Sequence, residues 1–191
     1  MKLIVLDRDG VINRDSDDFI KSPEEWQLLP GSAEAIARLT QARYQVVVAT
    51  NQSGVARGYF DLGVLNRIHE KMQREVSLAG GRIDAIFFCP HGPDDGCECR
   101  KPKPGMFRDI ERRLQTKLNG VPAIGDSLRD LQAAQAVGAR AILVRSGKGV
   151  LTEKRLAESP LAETVELFDD LAAAVDALLS ESLEIDESSE S

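Results

Sequence analysis

Residues 2–13 read KLIVLDRDGVIN. After Lys2 come four successive apolar residues, 3–6, which are typical of a short strand buried on both faces of a parallel sheet. The run ends at Asp7, Arg8 and Asp9, and ligands of open parallel sheets bind just outside the carboxyl ends of the strands. In an extended chain Asp7 and Asp9 point to the same side, and Arg8 points away. Two converging carboxylates repel each other but suit a hard cation such as Mg²⁺. Taken alone, the motif could equally be a strand followed by an ordinary polar Asp-Gly turn.

The rest of the chain alternates predicted strands with predicted helices. Apolar patterning predicts strands at 44–50, 83–88, 121–124 and 141–144, and helices at 32–41, 64–78, 106–118, 128–137 and 171–179. Ser32 is the predicted N-cap of the first helix, and residues 145–149 form either a loop at the sheet edge or a flexible connection. This alternation predicts a three-layer, Rossmann-like α/β fold with a central parallel sheet and helices on both faces. We expect one domain over residues 1–180, without a separate cap domain.

Charge and composition narrow the classes of partner. The net charge of −7 argues against nucleic-acid binding through a general basic surface. Residues 181–191 hold five acidic and no basic residues, and this composition predicts a disordered tail. Neither a membrane span nor a basic-then-apolar leader is visible, so we expect a cytoplasmic protein. No coiled-coil heptad or evident apolar patch is present, which leaves a monomer as the default expectation.

Three predicted strands end in polar clusters that should share one edge of the sheet. They are Asp7 with Asp9, Thr50 with Asn51, and Asp126 with Asp130; Lys101 precedes the third helix and could reach the same edge. Singly, each has an ordinary explanation: a strand-end hydroxyl, a solvated lysine or a helix N-cap. Jointly they pair acids that suit a metal with a lysine and hydroxyl that suit an oxyanion such as phosphate.

The cysteines predict a second metal site. All three, Cys89, Cys97 and Cys99, lie within eleven residues together with His91, one of the two histidines. The pattern C-x-H-x5-C-x-C supplies four ligands for a closed, structural zinc site in a loop over residues 89–99. A disulfide would leave one thiol over and would be unusual in the cytoplasm. The loop leads directly into Lys101, which zinc would help to position. His69, the other histidine, lies in a predicted amphipathic helix and is interpreted as a surface or packing residue.

Four motifs follow one another along the chain: Asp7-Arg8-Asp9-Gly10-Val11, Thr50-Asn51, Lys101, and Gly125-Asp126 with Asp130. In this order they resemble the motifs of the haloacid dehalogenase superfamily of phosphatases, and the resemblance covers Leu3 to about Val144. The resemblance implies that Asp7 is the nucleophile and becomes an aspartyl phosphate. It implies that Asp9 protonates the leaving oxygen and then activates water. Thr50, Asn51 and Lys101 would bind the transferring phosphoryl group. The implied Mg²⁺ ligands are Asp7, Asp126 and the backbone carbonyl of Asp9. The role of Asp130 stays open.

Within the superfamily, the motifs and the cysteine loop look like those of phosphatases that remove the 7-phosphate of a heptose 1,7-bisphosphate, a step towards the lipopolysaccharide inner core. The implied contacts with this small phosphosugar are Asp15, Ser16, Asp17, Asp18, Gln52, Ser53 and Arg100. Arg57 is a further candidate, since the second phosphate of a bisphosphate needs a cation. Only five residues separate His91 from Cys97, a short loop that leaves the preferred anomer open. The nearest alternative is a histidinol-phosphate phosphatase. A zinc-stabilised, non-catalytic binding module is a rival of another class, against which the complete set of acids and lysine argues.

Overall fold

The computed structural model describes residues 2–189. Within that range the chain forms six strands and six helices. The strands are β1 (Lys2–Leu6), β2 (Tyr44–Asn51), β3 (Ala85–Cys89), β4 (Pro122–Gly125), β5 (Arg140–Val144) and β6 (Glu166–Phe168). The helices are α1 (Ser32–Gln41), α2 (Leu62–Leu78), α3 (Gly105–Leu114), α4 (Leu128–Gln135), α5 (Gly149–Leu156) and α6 (Leu171–Ser189).

The strands form one parallel sheet in the order β3-β2-β1-β4-β5-β6. Side chains alternate between the two faces of a strand, and both faces of β1 are buried. Ile4 and Leu6 pack into a core with α1, α2 and α6, while Leu3 and Val5 pack into a second core with α3, α4 and α5. The predicted three-layer α/β fold is confirmed.

The sequence missed α5 and β6. Val150 and Leu151 of α5 are 50% and 61% exposed, so the helix lacks a clear apolar stripe. β6 has only three residues at the sheet edge, and they are half-buried. Both elements come after Val144, where the sequence left residues 145–149 undecided. Residues 145–148 form a loop at the sheet edge, where the Ser146 hydroxyl donates to the Gly10 carbonyl at 2.7 Å, and Gly149 begins α5.

Helix α6 is longer than the sequence predicted. The predicted end was Leu179, with a disordered tail from residue 181, but the helix continues to Ser189. Two contacts anchor the segment that was predicted to be disordered. Arg140 Nη1 lies 2.6 Å from Glu181 Oε2, and the Tyr44 hydroxyl lies 3.2 Å from Ser182 Oγ. The last two positions of the predicted tail lie outside the described residues.

Two helix ends differ from the predicted ones. The N-cap of α1 is Gly31, at φ 78°, and the predicted cap Ser32 instead donates its hydroxyl to the Val11 carbonyl at 2.9 Å. Helix α3 ends at Leu114 rather than 118, because Gln115 adopts a left-handed conformation. No helix within residues 2–189 has the length and apolar character needed to cross a membrane.

Candidate active site

The loops after β1, β2 and β4 border one cleft of about 260 Å³. Since β1 lies between β2 and β4, the carboxyl ends of these strands are adjacent. Among the residues lining the cleft are these from the predicted set: Asp7, Asp9, Asp15, Ser16, Asp17, Thr50, Asn51, Gln52, Ser53, Arg57, Arg100, Lys101, Asp126 and Asp130. Asp18 lies outside this lining. It is exposed, and its backbone N–H donates to Ser16 Oγ at 3.1 Å.

Lys101 is a buried cation between two carboxylates. Its Nζ lies 3.0 Å from Asp7 Oδ1 and 2.6 Å from Asp130 Oδ1, and it donates to the Ala49 carbonyl at 2.7 Å. Asn51 fixes the Lys101 backbone from both sides, since its amide donates to the carbonyl at 3.0 Å and accepts from the N–H at 3.1 Å. Burial works to lower the pKa of Lys101, but the two carboxylates outweigh it and raise the pKa above its ordinary value.

Asp7 follows β1 directly. Its Oδ1 accepts both from Lys101 and from the backbone N–H of Arg8, the latter at 2.8 Å. Burial and the negative charge of Asp130 raise the pKa of Asp7 to about 7, although Lys101 acts in the opposite direction. Because both contacts use Oδ1, Oδ2 is the oxygen available for chemistry.

Asp126 follows β4 and is held by the loop and helix that follow β5. The Lys148 backbone N–H donates to Asp126 Oδ2 at 2.7 Å, and the Thr152 hydroxyl donates to the Asp126 carbonyl at 2.7 Å. A Cβ on Gly10, which has φ +82°, would lie 2.0 Å from Asp126 Oδ2, so only glycine fits beside this carboxylate. Burial, followed by the charges of Asp130 and Asp7, raises the pKa of Asp126 to about 8.

Asp130 has a structural explanation that the sequence did not supply. The backbone N–H of Ser127 donates to its Oδ2 at 3.0 Å, and the Ser127 hydroxyl donates to the same oxygen at 2.7 Å. This capping box starts α4. The other carboxylate oxygen binds Lys101. The residue that caps α4 thus also shares in holding the buried lysine.

Asp9 occupies a different electrostatic environment from Asp7. The sequence predicted that Arg8 points away, but its guanidinium turns back and donates to Asp9 Oδ1 at 2.9 and 3.1 Å and to Oδ2 at 3.1 Å. The side-chain amides of Asn13 and Gln52 each donate to Asp9 at 2.9 Å. Gln52 also donates to the Thr50 hydroxyl at 2.9 Å. Burial works to raise the pKa of Asp9, but Arg8 and these donors outweigh it and hold the pKa below its usual value.

Another part of the cleft lining is cationic. Arg57, Arg100 and Arg129 all line it. Burial and the neighbouring Arg129 charge lower the pKa of Arg100. The Arg57 guanidinium lies 5.7 Å from the ring centroid of Phe19, a separation at which a cation is attracted to an aromatic face. These guanidiniums could bind a second anionic group of a ligand.

The segment after β1 carries acidic side chains to the cleft. Lys148 Nζ lies 3.2 Å from Asp15 Oδ2 and 3.4 Å from Asp17 Oδ1. The backbone of the same lysine binds Asp126. One residue of the β5–α5 loop therefore connects the acidic segment with the carboxylate at the end of β4.

The predicted zinc ligands converge within the β3–α3 loop. One ligand atom from each of Cys89, His91, Cys97 and Cys99 lies within 4.8 Å of the others. The Sγ of Cys89 is 3.6 Å from that of Cys97 and 3.1 Å from that of Cys99, and His91 Nδ1 is 3.3 Å from Cys99 Sγ. For Zn–S bonds of ~2.3 Å, tetrahedral geometry places two sulfurs ~3.8 Å apart. The cluster is therefore close to the size of a zinc site. Arg100 Nη1 donates to the His91 carbonyl at 3.3 Å, which connects the cluster to the cleft.

Comparison with known proteins identifies the family and the fold of the chain. Residues 2–127 match the family described as polynucleotide kinase 3 phosphatase, and residues 98–174 match the HAD-hydrolase-like family. A D-glycero-beta-D-manno-heptose-1,7-bisphosphate 7-phosphatase of Bordetella bronchiseptica is 61% identical over 181 residues, which cover 95% of this chain and 99% of the relative. A protein of the same name from Pseudomonas aeruginosa is 55% identical over 177 residues, covering 93% and 97%.

The chain belongs to the D-glycero-beta-D-manno-heptose-1,7-bisphosphate 7-phosphatase family of HAD-like hydrolases. Solved structures of the family superimpose on it. The B. bronchiseptica D,D-heptose 1,7-bisphosphate phosphatase, complexed with magnesium and phosphate, has a TM-score of 0.90 at 61% identity and covers 95% of this chain and 99% of its own. The Burkholderia thailandensis phosphatase has a TM-score of 0.73 at 47% identity, covering 94% and 99%. The predicted superfamily is confirmed.

Five residues of this cleft were not singled out from the sequence: Phe19, Ile20, Ser127, Arg129 and Lys148. Lys148 lies in the loop that the sequence left undecided, and Arg129 lies three residues after the recognised Asp126. A basic residue next to a motif acid was a usable signal for Arg129. No local signal existed for Phe19, which enters the cleft from a backbone of positive φ, 65°.

Proposed function

We propose that the protein is a Mg²⁺-dependent phosphatase that removes the 7-phosphate of D-glycero-β-D-manno-heptose 1,7-bisphosphate through an aspartyl-phosphate intermediate. Its place would be nucleotide-heptose synthesis for the lipopolysaccharide core, and residues 1–180 would act as one phosphatase domain. The observation that carries the proposal is the 61% identity to a phosphatase of this name along 99% of that relative's length. The β anomer is taken from the names of the relatives. Those names do not favour histidinol phosphate, the alternative substrate.

The carboxylates at the bottom of the cleft fit a divalent cation. Asp7, Asp126 and Asp130 each offer an oxygen within 4.8 Å of the others. Asp130 already binds Lys101, so Asp7, Asp126 and the backbone carbonyl of Asp9 are the proposed ligands. Burial, followed by the charge of Asp130, raises the pKa of Asp7 and of Asp126, so keeping both carboxylates ionised at neutral pH calls for a further positive charge beside them. A bound Mg²⁺ would cancel charge between the nucleophile and the phosphate.

Asp7 is the proposed nucleophile. Its Oδ2 would form the new bond to phosphorus as the bond from phosphorus to the sugar C7 oxygen breaks. Lys101 would stay beside Asp7 Oδ1, 3.0 Å away, and offset the negative charge of the phosphoryl group. Thr50 and Asn51 would orient that group, since both line the cleft at the end of β2.

Asp9 is the proposed acid and base. It would give a proton to the departing sugar oxygen and then take one from the water that attacks the aspartyl phosphate, releasing phosphate and restoring Asp7. Arg8 favours the ionised form of Asp9, so the acid step needs an opposing influence. The negative charge of a phosphate bound beside Asp9 acts in that direction, because a like charge raises the pKa of a carboxyl group.

The cationic part of the lining supports a substrate with two phosphates. Arg57, Arg100 and Arg129 would receive the second phosphate, and guanidinium groups suit this role because they bind phosphate oxygens in pairs. Asp15, Ser16, Asp17, Gln52 and Ser53 would contact the sugar hydroxyls. Asp18, which lies outside the lining, is left without a proposed contact.

Zinc is the proposed occupant of the cysteine cluster. Three sulfurs and one imidazole nitrogen complete a tetrahedral set, so the ion would be structural. It would fix the loop that carries Arg100 and Lys101. Zinc-bound cysteines must remain reduced, which agrees with an enzyme of the cytoplasm, and a monomer remains our prediction.

A substrate comparison tests the proposal. Phosphate release with Mg²⁺ is measured from heptose 1,7-bisphosphate and from histidinol phosphate, with Asp7→Asn protein as the control. We expect kcat/KM at least about a hundredfold higher for the heptose, which corresponds to roughly 3 kcal/mol of transition-state binding. Equal or reversed preference would overturn the substrate, and release that survives in Asp7→Asn protein would overturn the catalytic mechanism.

A further inference from the structure

Arg8 connects the proposed acid–base residue to a histidine elsewhere in the fold. Its side chain is fully buried and donates to both carboxylate oxygens of Asp9. The remaining corner of the guanidinium, Nη1, lies 3.2 Å from Nε2 of His69. His69 belongs to α2, 61 residues further along the chain, and is itself 6% exposed.

The chemistry of this contact fixes the state of the imidazole. A guanidinium has donors and no acceptor, so Nε2 of His69 must accept and the ring proton must sit on Nδ1. A protonated imidazole could not make this contact. Burial and the Arg8 charge lower the pKa of His69 to about 3, against a smaller opposing effect of Asp9. The ring therefore remains an acceptor at neutral pH.

The hydrogen bond from Arg8 to His69 orients the whole guanidinium, because this group is planar. Because its nitrogens form a rigid fork, a hydrogen bond that fixes Nη1 also orients Nε and Nη2. These two nitrogens are the ones that bind Asp9, at 2.9 to 3.1 Å. Without the histidine acceptor, one corner of a buried cation would lose its partner, and the guanidinium could rotate away from the carboxylate.

We propose that His69 is a positioning residue for catalysis, which acts through Arg8 to hold the Asp9 carboxyl group in place for proton transfer. The inference rests on the proposed role of Asp9 as the general acid. Packing alone does not require a histidine here. The Phe88 ring is a tilted neighbour, 6.0 Å from the imidazole between centroids, and a leucine would supply comparable apolar contact.

The test uses the dependence of the rate on the leaving group. Phosphorylation of Asp7 by a sugar phosphate needs a proton on the leaving oxygen, whereas p-nitrophenolate leaves well without one. We therefore compare kcat/KM, which reports steps up to the first irreversible one, for heptose 1,7-bisphosphate and p-nitrophenyl phosphate. The variants are His69→Leu, which removes the acceptor, and His69→Gln, whose carbonyl oxygen can replace it. Gln73→Leu, an exposed position one turn along α2, is the matched control.

We expect His69→Leu to lower kcat/KM about tenfold for the sugar and less than twofold for p-nitrophenyl phosphate. General acid catalysis contributes about 10²–10⁴-fold to a rate, and a misplaced Asp9 should lose only part of this contribution. His69→Gln should stay within about threefold of the parent on both substrates, and Gln73→Leu should match the parent. Equal losses of His69→Leu on both substrates would contradict the inference, as would no loss on either. If His69→Leu does not fold, His69→Gln still tests the inference, because a tenfold loss on the sugar despite a retained acceptor would contradict it.

Asp9→Asn separates this inference from the proposed function. It should lose far more kcat/KM with the sugar than with p-nitrophenyl phosphate. If it does and His69→Leu does not, only the positioning role of His69 is wrong. If Asp9→Asn affects both substrates equally, the acid role of Asp9 is wrong, and the inference is overturned with it.

Discussion

Replacing Lys101 by methionine should both destabilise the fold and abolish most activity. The ammonium lies 3.0 Å from Asp7 and 2.6 Å from Asp130 and is 2% exposed. At an effective dielectric constant of about 20, each contact corresponds to a Coulomb energy of roughly 5–6 kcal/mol before desolvation is subtracted. Removing one partner of a buried pair typically costs about 3–5 kcal/mol. We expect a loss of that size in the free energy of unfolding at pH 7.

The pH dependence of this loss follows from the pKa values of Lys101 and of the carboxylates that it contacts. The pKa of Asp130 is lowered in the folded state, so its pairing stabilises the protein above the unfolded pKa of 3.8, and this stabilisation is lost as the pH falls through the lower, folded value. The pKa of Lys101 is raised from 10.5, so its contribution is fully present below pH 10.5. Asp7, whose pKa is about 7, is ionised only above that pH, so its part of the pairing is lost as the pH falls through 7. The difference between parent and Lys101→Met should therefore be largest between about pH 8 and 10, decrease as the pH falls through 7, and shrink again below pH 4.

Urea unfolding at pH 7 and pH 3.5, with chelator present in both, measures the effect. Lys103→Met is the matched control, since Lys103 lies two residues away and forms only an exposed pair with Glu98, at 2.8 Å. Such exposed pairs contribute about 0–1 kcal/mol. Loss of one transition-state donor should also lower kcat at least about a hundredfold. If Lys101→Met costs no more than Lys103→Met, or if its cost is the same at both pH values, then ion pairing with the two buried carboxylates is not what makes Lys101 stabilise the fold.

Three further predictions concern Gly10 beside the proposed metal ligands, Cys97 in the zinc loop and Lys148 in the cleft lining. Gly10→Ala should abolish activity and lower the free energy of unfolding in urea by at least about 1–3 kcal/mol. Gly58→Ala should remain active, because Gly58 has a similar φ but an added Cβ would meet no atom within 4 Å. Activity in Gly10→Ala would contradict the close approach of Gly10 to Asp126. Cys97→Ala should lower zinc from one ion per chain towards none by native mass spectrometry, and unchanged zinc would exclude the proposed ligand set. Lys148 Nζ pairs with Asp15 and Asp17, two of the proposed sugar contacts, so Lys148→Met should raise KM about tenfold with kcat within threefold. The exposed Lys154→Met should leave both unchanged, and an unchanged KM in Lys148→Met would contradict a role of this pairing in substrate binding.

The features that the sequence predicted depend on local pattern and on one general property of parallel sheets. The apolar run of β1 and the polar residues that follow it are contiguous, so their placement at a strand end needs no tertiary information. Parallel strands have their carboxyl ends at one edge, and this brings Asp7, Thr50 and Asp126 to the same cleft. The close sequence spacing of the cysteines likewise restricts where their sulfurs can lie.

The features that the sequence missed depend on contacts between distant segments. Arg8 was expected to point away from its neighbours, but a buried cation needs a partner, and Asp9 with His69 supplies it. Lys148 reaches the cleft because α5 packs behind Asp126, and the weak apolar pattern of α5 concealed that helix. The acidic composition of residues 181–191 predicted a disordered tail, whereas α6 continues to Ser189. No local rule anticipates the contact between Glu181 and Arg140.

The proposed function requires that the protein, with Asp7 as nucleophile, removes the 7-phosphate and leaves the anomeric phosphate in place. The most direct measurement is ³¹P NMR of heptose 1,7-bisphosphate during reaction with Mg²⁺ and the parent protein, alongside Asp7→Asn protein. We expect the signal of the phosphate on C7 to be replaced by that of inorganic phosphate while the anomeric signal persists, and we expect the variant to change neither signal. Loss of the anomeric signal, or release of phosphate by the variant, would contradict the proposed function.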